Sequence, residues 1–96
     1  MHNDVPPLTA PSVIRDLPTI GALVRAARKA QKLRIDDAAG FNHVSVDLMS
    51  RLENGSGGVR LDKLLQVLDG LGLAMLITSK EQAQQIERSA EARSHG

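Results

Sequence analysis

Cysteine is absent from this 96-residue chain, and Phe41 is its only aromatic residue. The first absence excludes a disulfide framework and thiolate metal sites, and it is what a reducing compartment permits, so the cytoplasm is the expected location. The second leaves the core to Leu, Val, Ile, Ala and Met. An apolar content of 42% suffices for one packed helical domain, too small for an elaborate active site. The opening MHNDVPPLTAP lacks a basic region followed by an apolar one, and no stretch nears the roughly 18 apolar residues of a membrane span, so a soluble protein with no membrane partner is expected. Proline is missing after Pro18: Pro6, Pro7, Pro11 and Pro18 all fall at the start. They remove backbone donors and disfavour helix before them, which reads as an extended arm over 1–18, with Val13 and Ile14 as its docking residues. A large charge of either sign is lacking too. The net charge is +1, so partners depend on where charge lies, and five basic residues with no acid occupy Arg25 to Arg34.

What is present is helical periodicity. Thr19 can cap a helix over 20–31 in which Ile20, Leu23, Val24 and Ala27 recur on one side while Arg25, Arg28, Lys29 and Lys32 gather elsewhere. A short second helix over 35–41 has Asp36 and Asp37 at its positive end and a small face, Ala38 and Ala39. Ser45 can cap a third over 46–54, whose apolar stripe is Val44, Leu48, Met49 and Leu52 and whose stop is Gly55. A fourth runs over 61–71 with Leu61, Leu64, Leu65, Leu68 and Leu71 facing inward and Gly72 after it.

The pattern then changes. LAMLIT, starting at Leu73, is apolar on both alternating faces and too short for a helix, which predicts a lone strand. Such a strand needs a partner: the arm, or the same strand of a second copy. Antiparallel self-pairing would make Leu73, Ala74, Met75, Leu76 and Ile77 the contact of a homodimer. The polar tail over 79–96, with Ile86 its only large apolar residue, reads as a frayed helix or a disordered segment. The domain proper is therefore 19–78.

A short helix with a small face, a tight turn and a capped second helix with an inward stripe form the geometry of a helix-turn-helix. Over residues 20–73 the chain resembles the Xre/Cro-type family of phage and bacterial repressors. The matching segments are IGALVRAARKAQKL, DDAA, VSVDLMSRLENG and LDKLLQVLDGLGL. The strand LAMLI, in place of the family's fifth helix, resembles antitoxins of the HipB type. The resemblance implies an all-α, lambda-repressor-like bundle with a short C-terminal β-strand paired in a homodimer. It also implies an inverted-repeat double-stranded DNA operator and a HipA-like kinase toxin as partners. Carried over by position, Ser45, Val46, Asp47, Ser50 and Arg51 fall where the family contacts bases and phosphates, and Arg28 and Glu53 where it forms a structural ion pair. Ser45 reads equally as a plain cap, and Asp47 as a favourable charge at the helix start. Arg34 and Ile35 stand where the family has Ser or Thr and then Gln, with Arg34 as the replacement phosphate contact. Asn42 and His43 replace the usual apolar residue and Gly of the turn, so Phe41 is expected to supply the missing core contact.

Other chemistry finds little footing. His2, His43 and His95 are far apart, GSGG at 55–58 lacks the strand and the Lys-Ser/Thr of a phosphate loop, and no catalytic triad order is visible. No enzyme, cofactor, metal or small-molecule substrate is expected. Two alternatives remain beside the antitoxin reading: a phage-type repressor without a toxin, and a protein-interaction module with weak DNA binding.

Overall fold

Helix α1 spans Leu17–Ala30, α2 Ile35–Phe41, α3 Val46–Glu53, α4 Leu61–Gly70 and α5 Lys80–His95, in a computed structural model that describes residues 11–95 and their side chains to residue 90. The first ten residues of the expected arm, His2 among them, lie outside the described residues. The core is aliphatic: Val24 of α1, Ala38 and Ala39 of α2, Met49 and Leu52 of α3, and Val67, Leu68 and Leu71 at α4 are buried together. Where α1 crosses α3, Gly21 leaves no room for a side chain. A Cβ there would lie 2.5 Å from the Leu52 carbonyl oxygen and 2.6 Å from that of Glu53.

The first four helices stop in one way. Lys32, His43, Gly55 and Gly72 each take a positive φ just past a helix end. In each case the next residue's N–H reaches back to a helix carbonyl: Leu33 to Arg28, Val44 to Ala39, Ser56 to Arg51 and Leu73 to Leu68. This double closure satisfies carbonyls the helix leaves orphaned, and Leu33, Val44 and Leu73 then pack on the core.

The start of α1 and the place of Phe41 are corrected, and the tail takes the helical of its two readings. Helix α1 begins before Thr19, because Asp16 is its cap, accepting from the Thr19 N–H at 2.9 Å; Pro18 sits in the first turn, where no backbone donor is needed. The last residues of the expected arm are thus helical. Phe41 does not enter the core: it is 64% exposed. Asn42 occupies that place, its amide donating to the Ala38 carbonyl at 2.8 Å while Gly70 of α4, without a Cβ, makes room for its Oδ1. The tail is one continuous helix, α5. Residues 73–79, between α4 and α5, carry neither helix nor strand pairing within the single chain.

Helix α5 turns back over the start of α1. Arg15 Nη2 donates to Glu87 Oε1 at 2.7 Å. Val13 and Ile14, Leu23 of α1, Met75 and Ile77, and Ile86 of α5 line an apolar groove of about 410 Å³. No helix among the described residues is long and apolar enough to cross a membrane.

Candidate nucleic-acid interface

Helix α3 is two-faced. Met49 and Leu52 are buried, so the opposite side presents Val46 and Asp47, exposed, with Ser50 and Arg51 half-buried and Asn54 exposed. Positions 47, 50, 51 and 54 are neighbours at helical spacing and form one strip along the helix. The structure therefore brings Ser45, Val46, Asp47, Ser50 and Arg51 onto a single element. Ser45 is the N-cap, its Oγ accepting from the Leu48 N–H at 3.0 Å, which leaves its hydroxyl proton free to donate outward. Asn54, seven residues after Asp47, extends the same face, a position that only the helical spacing signals.

Arg51 is held on two sides. Its Nε donates to Asp47 Oδ2 at 3.1 Å and its Nη1 to the Gly58 carbonyl at 3.1 Å. Gly58 adopts a φ of +84°, which turns the loop after α3 back alongside the helix. No residue type foretells that carbonyl contact. Arg34 is apart from this strip: it stands at the N-cap position of α2 without a side-chain capping bond, is exposed, and its Nε donates to Asp36 Oδ1 at 3.2 Å.

The angle of α3 is fixed from behind. Arg28 of α1 grips Glu53 with both ends of its fork, Nε to Oε2 at 2.6 Å and Nη2 to Oε1 at 2.9 Å, while its Nη1 donates to the Leu33 carbonyl at 2.9 Å. The two side chains are only 11% and 6% exposed. The hydrogen bond to Glu53 raises the Arg28 pKa further above its ordinary value. A second fixture lies under the turn, where Gln66 of α4 donates its amide to the Asn42 carbonyl and so joins α4 to the end of α2. Arg25 and Lys29 of α1, with Lys32 just past its end, form a separate exposed basic line and are not part of the α3 strip.

An exposed helix carrying hydroxyls, a guanidinium and a carboxylate on one narrow strip, clamped against a rigid bundle, has the chemistry to address the donors and acceptors of a DNA groove edge. Comparison with known proteins bears on the family and the fold. The profile of a family described as "helix-turn-helix domain" matches residues 19–75. An HTH-type transcriptional regulator of Sinorhizobium fredii, y4mF, is 45% identical over 56 residues, covering 58% of this chain and 74% of that protein. Among solved structures, a chain of the HipA-HipB-O2-O3 complex superposes with a TM-score of 0.65 at 16% identity, covering 72% of this chain and 97% of that one. At that identity the likeness speaks to the fold.

Proposed function

The chain belongs to the helix-turn-helix domain family, with its match over residues 19–75, and from that premise we propose that it is a non-enzymatic, cytoplasmic, sequence-specific transcriptional repressor. Helix α3 enters the major groove of an inverted-repeat operator. Ser45, Val46, Ser50 and Arg51 meet bases and phosphates there with Asp47 beside them on the same strip, Arg34 reaches an adjacent phosphate, and Arg28 with Glu53 holds the helix at its angle. The observation that carries this reading is the strip on α3 facing away from the core, backed by a nearly buried ion pair.

The active form is a homodimer joined through residues 73–77. Leu76 and Ile77 are 76% and 90% exposed in the single chain, and their apolar surface favours burial against a second copy. The solved chain of similar fold comes from a complex that contains HipA and HipB. By analogy, the finer role is that of an antitoxin which represses its own operon and binds a HipA-like kinase toxin through the flanks of α1 and α4 or the C-terminal helix, away from α3. The test is fluorescence anisotropy on duplex DNA from upstream of its own gene, at low and moderate salt. Tight, salt-weakened binding that Ser50→Ala with Arg51→Ala abolishes is expected. Equal binding by that double variant would remove α3 from the interface. If no kinase-like neighbouring gene product co-purifies with the dimer, the antitoxin role falls and the repressor remains.

A further inference from the structure

The clamp on Arg51 goes beyond placing it at the DNA. A guanidinium has five N–H donors. Asp47 occupies the one on Nε, and the Gly58 carbonyl occupies one of the two on Nη1. Three remain, one on Nη1 and both on Nη2; one from each nitrogen can make the outer edge of the fork, and the second on Nη2 lies on the Nε side beside Asp47. In the major groove only guanine offers two adjacent acceptors, O6 and N7; adenine sets a donor beside its acceptor.

We propose that Arg51 reads a guanine end-on with this outer Nη1/Nη2 edge, and that Asp47 is a positioning residue that holds the edge in place and does not itself select a base. The inference rests on the reading of α3 as the groove-entering helix. A free carboxylate between phosphate walls would weaken binding by repulsion. Paired with Arg51 it forms a locally neutral unit, suppressing sequence-independent attraction to phosphates while fixing the direction of the fork. The Gly58 carbonyl, reached through a loop of positive φ, fixes the second coordinate.

Selection from a library of randomised duplex DNA by the full chain tests this, with wild type, Arg51→Ala, Arg51→Lys, Asp47→Ala and Asp47→Asn compared for base preference at each enriched position. Wild type should enrich a motif with one guanine per half-site preferred by about 5- to 150-fold, the range of a good bidentate contact. Arg51→Lys, which keeps the charge but loses the fork, should erase preference at that position only and retain most of the overall affinity. Asp47→Ala should blunt the same guanine preference several-fold and raise affinity for non-specific DNA, a gain that a merely structural residue would not give. Asp47→Asn should give the same gain in non-specific affinity. If Asp47→Ala instead erases a cytosine preference at another position and leaves the guanine intact, Asp47 reads a base and the proposal is wrong. A motif unchanged by both Arg51 variants overturns it as well, with the repressor reading standing. A wild-type protein that enriches no sequence overturns both.

Discussion

Replacing Glu53 with alanine would leave the Arg28 guanidinium nearly buried with no countercharge. Breaking such a pair by removing one partner costs about 3–5 kcal/mol, and Glu53→Ala should lower the free energy of urea unfolding by an amount in that range. Glu53→Gln, which keeps one hydrogen-bond acceptor, should cost less. Asp16 offers a pH test. Hydrogen bonds from the Thr19 side chain and backbone hold its carboxyl below the ordinary carboxylate value. Its contribution is therefore complete above the unfolded value near 3.9 and is lost as pH falls through the lower folded one. The stability difference between wild type and Asp16→Ala should be present at neutral pH and vanish in strong acid; a difference that persists there would show that the cap acts without its charge. Sequence reading locates Ser45 as a cap because a hydroxyl before an apolar stripe has few other uses. It passes over Asp16, since a following Pro18 is compatible with either an arm or a first turn. Asn42 is illegible for a different reason: an amide is buried there only because Gly70, 28 positions on, lacks a Cβ, and nothing local announces that pairing.

Gly21 is the element-scale counterpart of that close fit. The α1–α3 crossing brings backbone against backbone, so Gly21→Ala must separate the two helices. The expected loss is about 1–3 kcal/mol by urea titration, with α3 displaced relative to Arg28. An unchanged stability would mean that the crossing is looser than described. The turn between α2 and α3 makes the opposite prediction. His43 holds a φ of 58°, which costs a residue with a Cβ about 1–2 kcal/mol, whereas glycine at this position would cost about 0.4–1 kcal/mol of unfolded-state entropy. His43→Gly should therefore stabilise the protein by up to about 1.5 kcal/mol, read as a higher thermal midpoint. The bounds of α2 are legible because Asp36, Asp37, Ala38 and Ala39 leave one helical register. The continuous α5 is not, because its contacts with the arm, Arg15 to Glu87 and Ile86 on the apolar groove, are long-range and its own sequence is polar.

At the scale of the whole molecule, the bundle presents α3 on one side and an apolar segment, residues 73–77, whose exposed side chains the single chain does not cover. If that segment joins two copies, Leu76→Lys or Met75→Lys should give a monomer by sedimentation velocity, with weakened operator binding because two half-sites are no longer engaged together. An unchanged dimer would place the contact elsewhere. In the proposed function α3, and not the basic line of Arg25, Lys29 and Lys32, addresses DNA. The most direct test is an NMR titration of the isotope-labelled protein with duplex DNA from its own promoter. The largest amide shifts are expected at Ser45 to Arg51, with smaller ones near Arg34. Largest shifts at Arg25, Lys29 and Lys32, with α3 undisturbed, would contradict that placement.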